Sequence, residues 1–233
     1  MSDDLYVLTL DDMQQSAVDL ADPTRLVFDY VRRIGDVLDA LPSGALRVLH
    51  VGGAAMTLPR YVAATRPDSA QIVLEPSAAL VEQVRAEAPL PRRSGIKVRV
   101  ADGSSGIAAI RDESQDVVVL DAFAGGAVPP ELTGVEFLEQ VRRVLVPGGV
   151  LVANLVDRPP FPLVRRFVAV VGTVDGAVVV GVEPATLKGR RAGNLIVLCG
   201  GVPPSPFGNP SPMDYRVYQG TAVSDSFGGG TPT

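Results

Sequence analysis

The sequence predicts a doubly wound α/β fold, in which a mostly parallel β-sheet carries helices on both faces. Two observations predict it. Short runs rich in β-branched residues recur along the chain and are apolar throughout, as in strands that are buried on both faces. Segments with helical periodicity separate these runs, and strands that alternate with helices are typical of a parallel sheet.

One segment of the chain precedes this alternation. Residues 1–21 are predicted to form an N-terminal arm, in which the apolar stretch 5–10 indicates a strand. Asp22 and Pro23 predict the start of the first helix, because an Asp side chain at the N-cap accepts a hydrogen bond from a free backbone N–H, and a Pro in the first turn needs no donor. The Pro-Ser-Gly segment 42–44 ends this helix.

Seven strands are predicted after the first helix. The first five lie at 46–51, 70–74, 96–100, 117–120 and 150–155. The helices between them are predicted at 58–65, 77–88, 104–110 and 135–145. A helix at 163–171 then leads to the last two strands, 177–182 and 194–198. Such a terminal pair usually closes the sheet with one antiparallel strand.

The α/β domain is therefore predicted to span residues 22–200, with a tail at 201–233. The tail contains 12 glycines or prolines among its 33 residues, a composition that favours disorder. It also contains several aromatic residues. We expect the part around Tyr215 and Tyr218 to dock on the domain and the last ten residues to be mobile.

Composition excludes several classes of function. The chain has 26 acidic and 21 basic residues, a net charge of -5, which argues against a nucleic-acid partner. It lacks an apolar run of the roughly 20 residues needed to cross a bilayer, and its acidic start is unlike a secretion signal. Cys199 is the single cysteine and is expected to be an inert buried thiol, while His50 is the single histidine, so no metal site is expected. We expect a cytoplasmic protein without a membrane partner.

Candidate nucleoside-binding residues follow the first two strands. Ligands of an open parallel sheet bind at the carboxyl ends of its strands. The first strand runs into Gly52 and Gly53, where small residues let the backbone approach a ligand, and the following helix offers free N–H groups. The second strand ends at Glu75, whose carboxylate can accept hydrogen bonds from both ribose hydroxyls. The alternative for Glu75 is a solvated acid that caps the next helix.

Two further acids end the third and fourth strands. Asp102, followed by Gly103, can accept from an adenine amino group, or is only the N-cap of the next helix. Asp121 precedes the small-residue loop 122–128, and a carboxylate placed there can take a proton or hold a cation. The alternative for Asp121 is a carboxylate that only fixes the loop by accepting backbone N–H bonds. His50 is interpreted as a packed side chain without a catalytic role.

Segment 13–198 resembles the polyamine aminopropyltransferases, or spermidine synthases, and especially their bacterial spermidine synthase-like branch. That family has the Rossmann-like, seven-stranded sheet of class I S-adenosylmethionine-dependent methyltransferases. The resemblance rests on Gln15-Ser16 before the first helix and on the motifs VLHVGGAAMTLPRYVA, VLEP, VADG, VVVLDAF and LVPGGVLVANL.

The resemblance implies roles for these residues. Glu75 is then the ribose acid, Asp102 the adenine contact and Asp121 the base that deprotonates the attacking amine. Gln15 would contact the amine as a remnant of the family's lid. Decarboxylated S-adenosylmethionine would supply an aminopropyl group to a polyamine such as putrescine, leaving methylthioadenosine. The resemblance also implies a homodimer.

Several positions depart from the family pattern. Ala54 and Met56 occupy a loop that is usually richer in glycine, and Met56 is expected to crowd the cofactor. Ala124 stands where the family has a second acid, and the family's Tyr-His-Glu segment has no counterpart around 28–30. The N-terminal β-structure that covers the amine site is expected to be nearly absent. Two alternatives therefore remain, a methyltransferase that uses S-adenosylmethionine and a degenerate, non-catalytic nucleoside-binding relative.

Overall fold

The structure, a computed structural model, describes residues 5–10, 13–174, 177–208 and 215–232. In chain order its strands are β1 (Leu5–Leu10), β2 (Met13–Asp19), β3 (Arg47–Val51), β4 (Ala70–Glu75), β5 (Ile96–Val100), β6 (Gln115–Leu120), β7 (Leu145–Asp157), β8 (Val178–Val182), β9 (Gly193–Gly200) and β10 (Arg216–Gln219). Its helices are α1 (Asp29–Ala40), α2 (Thr57–Thr65), α3 (Ala78–Glu87), α4 (Gly103–Ala108), α5 (Val135–Val144), α6 (Pro162–Val174), α7 (Pro184–Leu187) and α8 (Thr221–Phe227), with a 3-10 turn at Pro130–Leu132.

Strands β3 to β10 form one sheet in the order β10-β8-β9-β7-β6-β3-β4-β5. Strand β9 is antiparallel to β7 and β8, and β10 is antiparallel to β8, whereas β3 to β7 pair in parallel. The predicted α/β fold with a mostly parallel sheet is confirmed. The predicted count of seven strands is wrong, because the sheet has eight within the residues that the structure describes. The additional strand, β10, comes from the Gly- and Pro-rich tail.

Each face of the sheet has its own hydrophobic core. Along β6, Val117 and Val119 pack with α1 and α2, whereas Val118 and Leu120 pack with α4, α5, α6 and α8. This alternation follows from the period of two along a strand. Because helices cover both faces, a ligand reaches this sheet at the edge where the strands end.

The first helix begins later than the sequence predicts. Helix α1 starts at Asp29, and its N-cap residue is Phe28, not Asp22. The Asp22 carboxylate instead accepts from the backbone N–H of Thr24 (3.0 Å) and closes a local turn. Leu26 is bridged to Val18 of β2 in antiparallel fashion. The Asp-Pro pair therefore marks a turn between β2 and α1.

The N-terminal arm contains more β-structure than expected. Strands β1 and β2 pair in antiparallel register from Leu5↔Asp19 to Leu10↔Met13. Leu8 and Val18 of this pair are buried in a small core that also contains Val73 of β4. The expectation that N-terminal β-structure is nearly absent is therefore wrong.

The tail docks over more of its length than expected. Strand β10 confirms the docking predicted around 215–218. Residues 221–227 form α8, in which Phe227 is fully buried and its ring packs against those of Phe161 and Tyr218. Arg165 of α6 donates to the carbonyls of residues 226 and 228. Four of the last ten residues, which were expected to be mobile, belong to this helix.

Hydropathy along the helices bears on membrane association. In the part of the chain that the structure describes, no helix has the length and apolarity needed to span a membrane.

Cys199, the single cysteine, is buried in β9, as expected. His50 is also buried, and its Nε2 is 2.9 Å from Oε1 of Gln71. Burial lowers the pKa of His50 to about 4, which agrees with a packed, neutral histidine.

Candidate active site

The carboxyl ends of the strands surround a cleft of about 1050 Å³. This volume is near the upper end of the range for small-molecule sites. The cleft follows the sheet edge from β5 and β4, across β3 and β6, toward β7, β9 and the end of β8. All the site residues predicted from the sequence line it, namely Gln15, Gly52, Gly53, Glu75, Asp102, Gly103 and Asp121.

Gly52 brings two neighbouring strand ends into backbone contact. Its φ of +93° is in the left-handed region, and a Cβ atom there would lie 2.3 Å from the carbonyl oxygen of Asp121. Its N–H donates to the carbonyl of Leu74 (2.9 Å). Only glycine has both the conformation and the space for this position, so the loop after β3 is held against the end of β6.

Glu75 is tied to the loop after β3 by its carboxylate. Oε2 accepts from the N–H of Gly53 (3.2 Å), and Oε1 accepts from the N–H of Ser77 (3.0 Å). The residue is only 7% exposed. Helix α3 is capped by the Ser77 hydroxyl, which accepts from the N–H of Leu80. Glu75 is thus a buried acid with a fixed orientation, and the alternative of a solvated helix cap is wrong.

Asp102 is the N-cap of α4, as its alternative interpretation held. Its Oδ1 accepts from the N–H of Ser105 (2.8 Å), and its Oδ2 accepts from the hydroxyl of the same residue. These bonds lower the pKa of Asp102. The next residue, Gly103, leaves no room for a side chain, because a Cβ would lie 2.6 Å from Val51 and 2.7 Å from Leu132. Asp102 still lines the cleft, so capping does not remove it from the site.

Asp121 lies at the middle of the cleft, at the end of β6. Its backbone N–H donates to the carbonyl of Val51 (3.0 Å), and its Oδ1 accepts from Nδ2 of Asn154 (2.9 Å). Burial raises the pKa of Asp121 to about 6, and the Asn154 bond opposes this rise. Among the described residues, the carboxylate accepts from this side-chain amide and from no backbone N–H. The geometry therefore differs from that of a carboxylate that only fixes its loop.

Further residues of the cleft were not predicted from the sequence. Asn154 is a fully buried amide in the central strand β7, and a polar residue within the run LVPGGVLVANL was a possible signal for it. Tyr30 of α1 and Tyr215 of the tail both line the cleft. Burial, and next the nearby charge of Asp121, raise the pKa of Tyr30 well above its usual value. The remaining charged residues on this side are Asp29, Glu131, Glu183 and Arg191.

Glu183 and Arg191 form an ion pair between the end of β8 and the start of β9. Nη2 of Arg191 donates to both carboxylate oxygens of Glu183, at 2.8 and 2.9 Å. The Glu183 side chain is buried, whereas that of Arg191 is exposed. Glu183 and Asp29 both raise the pKa of Tyr215, after burial. These four side chains therefore lie together at the far end of the cleft.

Met56 does not crowd the cleft, contrary to expectation. Its φ of +62° turns the side chain into the small core with Leu8, Val73 and Leu80, where it is buried. Ala54 also has a positive φ, +39°, and does line the cleft. Both positions carry the backbone strain that a glycine would avoid. The departure from a glycine-rich loop thus affects stability more than the space for a ligand.

Gln15 lies on β2 and reaches the cleft from the N-terminal pair of strands. A smaller pocket of about 30 Å³ lies beside it, lined by Tyr30, His50 and Asp121 among others. In the described part of the chain, no group of three or more His, Cys, Asp or Glu side chains is arranged to hold a metal ion. The polar side chains of the cleft are therefore carboxylates, amides, serine and tyrosine hydroxyls and one guanidinium, that of Arg191.

Sequence comparison identifies bacterial relatives, although no family model matches the chain. A polyamine aminopropyltransferase of Chromobacterium violaceum is 28% identical over 141 residues, which are 60% of this chain and 53% of that protein. A polyamine aminopropyltransferase of Vibrio vulnificus is 30% identical over 136 residues, which are 56% of this chain and 44% of that protein. The chain thus spans about half the length of the curated relatives it matches.

Structural comparison extends the similarity over nearly the whole chain. A probable spermidine synthase from Corynebacterium glutamicum is 29% identical with a TM-score of 0.89, and the match covers 99% of this chain and 88% of that one. A spermidine synthase in complex with the transition-state analogue AdoDATO is 16% identical with a TM-score of 0.64, covering 95% and 77% of the two chains. Human methyltransferase-like protein 13 in complex with SAH is 23% identical with a TM-score of 0.63, covering 79% and 87%. The last two share the fold alone. The resemblance predicted from the sequence is confirmed: this chain is similar to proteins named polyamine aminopropyltransferase and to a probable spermidine synthase, and it has a class I methyltransferase-like fold.

Proposed function

We propose that this protein transfers an aminopropyl group from decarboxylated S-adenosylmethionine to a polyamine such as putrescine and releases methylthioadenosine. The observation that carries the proposal is the position of Asp121, a carboxylate with a raised pKa, between a nucleoside-type pocket and an acidic end of one cleft. The relatives bearing the aminopropyltransferase name support the same chemistry. A homodimer is part of the proposal, and light scattering of the purified chain would measure it.

The nucleoside end is assigned to Gly52, Gly53, Glu75, Asp102 and Gly103. Glu75 has a fixed orientation, because its two oxygens already accept backbone N–H bonds, and each oxygen has a further lone pair for a ribose hydroxyl. Asp102 follows the neighbouring strand β5, and its carboxylate can also accept from an adenine amino group. The glycines keep this part of the cleft free of side chains. Neighbours of the same fold were solved with AdoDATO and with SAH, which supports an S-adenosylmethionine-related ligand.

The acceptor end is assigned to Gln15, Asp121 and the walls around them. A polyamine is a cation, and the acids Asp29 and Asp121 give this end of the cleft a negative charge, which attracts it. Glu183 also lies here, but its charge is balanced by Arg191. An ammonium group has no lone pair with which to attack carbon. One proton must therefore leave the nitrogen before or during transfer.

Asp121 is the proposed acceptor of that proton. With a pKa of about 6, it is mostly ionised at neutral pH and still basic enough to take a proton. The nitrogen then attacks the carbon next to the sulfonium, a C–N bond forms, and the C–S bond breaks. Its electron pair goes to sulfur, which leaves as the neutral thioether of methylthioadenosine. Holding the two reactants in line in one cleft supplies a further part of the rate.

Calorimetry and product analysis test this proposal together. The protein is titrated with methylthioadenosine, decarboxylated S-adenosylmethionine and S-adenosylmethionine, and turnover with a panel of polyamines is followed by mass spectrometry. We expect micromolar binding of the first two and formation of an aminopropylated amine. Binding and turnover of S-adenosylmethionine alone would replace the proposal with methyl transfer. Binding without any turnover would favour a non-catalytic relative, for which the missing acid at Ala124 is the specific observation.

A further inference from the structure

Asn154 is an unusual residue for its place in the fold. It lies in β7, a central strand, where its neighbours Ala153 and Leu155 are buried and apolar. Its side chain is fully buried, and its Nδ2 donates to Oδ1 of Asp121 at 2.9 Å. Its Oδ1 is also buried and has no hydrogen-bond partner among the described residues.

This arrangement costs stability. A buried carbonyl oxygen without a partner loses its hydrogen bonds to water and gains none in return. An aliphatic side chain of similar size would suit a strand that is covered on both faces. The structural benefit of the amide is therefore confined to its one bond with Asp121.

We propose that Asn154 is a positioning residue for Asp121, the base of the proposed function on which this inference rests. Its N–H holds one carboxylate oxygen in place, which leaves the other oxygen to receive the proton of the acceptor. A hydrogen bond from an N–H also favours the ionised carboxylate over the neutral acid.

The groups that face Asp121 allow this effect to be isolated. Tyr30 faces it from α1 and His50 lies beside the same small pocket on β3. The pKa of Tyr30 is raised well above its usual value and that of His50 is lowered to about 4, so neither changes charge near pH 6. Glu75 and Glu131 are the acids on the adjacent walls, and they are the same in every variant compared.

Carbon-13 NMR of protein labelled at Asp carboxyl groups tests the proposal without needing activity. The Asp121 signal is the one that disappears in Asp121→Asn. We expect its titration midpoint to rise by about one pH unit in Asn154→Leu, which removes the donor, and by more in Asn154→Asp, where two carboxylates compete for one proton. The matched control Asn194→Leu changes an amide elsewhere on the same cleft and is expected to leave the midpoint in place. An unchanged midpoint in both Asn154 variants would overturn the proposal.

A measurement on the unaltered protein tests the same proposal if the Asn154 variants fail to fold. The side-chain N–H signals of Asn154 should titrate with the same midpoint as the Asp121 carboxyl, because the two groups share a hydrogen bond. Independent titration of the two signals would overturn the proposal.

Kinetics separate positioning from a purely structural role. In Asn154→Leu, the acidic limb of the pH profile of kcat/KM for the acceptor should move to higher pH by the same amount as the NMR midpoint. A shift of one pH unit lowers kcat/KM at pH 6 roughly fivefold. The loss should diminish above pH 8, where Asp121 is ionised in both proteins. An equal loss at every pH would contradict the proposal. If the unaltered protein transfers nothing, the proposed function fails, while the NMR midpoints still decide whether Asn154 controls Asp121.

Discussion

The two ends of the cleft hold their acids in different ways. At the nucleoside end, the oxygens of Glu75 and Asp102 accept from backbone and serine donors, and these bonds lower the pKa of Asp102. At the acceptor end, the Asp121 carboxylate accepts from one amide among the described residues, and burial raises its pKa to about 6. The first arrangement suits fixed hydrogen-bond acceptors for the uncharged ribose and adenine groups of a ligand. The second suits a group that gains and loses a proton, which is the division of labour that the proposed reaction needs.

Replacement of the proposed base should have the largest effect. Asp121→Asn keeps the shape of the side chain and still accepts from Asn154, but it cannot take a proton at neutral pH. We expect aminopropyl transfer to fall by about 10²–10⁴-fold, with nucleoside affinity nearly unchanged. Rates come from mass spectrometry and affinities from calorimetry.

Asp68→Asn is the matched control, since it makes the same chemical change in an exposed turn. Its rate should equal that of the unaltered protein. Transfer by Asp121→Asn within about tenfold of the control would refute the role of Asp121 as general base.

Gly52→Ala should test how the two ends are joined. The new Cβ would lie 2.3 Å from the carbonyl oxygen of Asp121, at a φ of +93°. We expect the free energy of unfolding to fall by about 3 kcal/mol, from backbone strain and overpacking together. Urea denaturation measures it. The control Gly125→Ala has a positive φ with no atom within 4 Å, so it carries only the strain, about 1 kcal/mol. Equal losses would show that the contact with Asp121 does not matter.

Glu75→Gln should weaken nucleoside binding and spare the acceptor. Both oxygens of Glu75 accept backbone N–H bonds, so an amide NH₂ in place of either oxygen sets a donor against a donor. We expect methylthioadenosine to bind about tenfold more weakly by calorimetry, the effect of losing one hydrogen bond to a charged group. An unchanged affinity would remove Glu75 from the proposed nucleoside site.

The sequence alone was enough to predict that the residues proposed for the nucleoside end line the cleft, because the signal is local. Each of the acids lies at a strand end or directly after one, and strand ends follow from apolar runs that can be read directly. Asn154 was missed because its partner, Asp121, is 33 residues away along the chain. Tyr215 was expected to dock, but nothing local indicated that it would reach the cleft.

The predictions for Asp22 and Met56 were wrong. Asp22 is a residue type that commonly caps helices, but its carboxylate accepts from the backbone N–H of Thr24 instead. Met56 was expected in the cleft because sequence does not reveal that its backbone is left-handed. A donor two residues along the chain decided the first outcome, and packing in the small core decided the second.

The smallest expected effect is on the pH dependence of stability, which should differ between Asp121 and Asp102. Asp121 has a folded-state pKa raised to about 6 from 3.8, so the stability associated with its neutral form is complete below pH 3.8 and is lost as pH rises through 6. Asp121→Asn has no such loss. We therefore expect the variant to gain about 4–8 °C in Tm relative to the unaltered protein between pH 4 and 6, and only about 1 °C more between 6 and 8. A lowered pKa works in the opposite sense, so Asp102→Asn should lose relative stability as pH rises through the acid range. Calorimetric melting of both variants checks these signs, and parallel curves for the two would mean that the ends of the cleft do not differ in the way proposed.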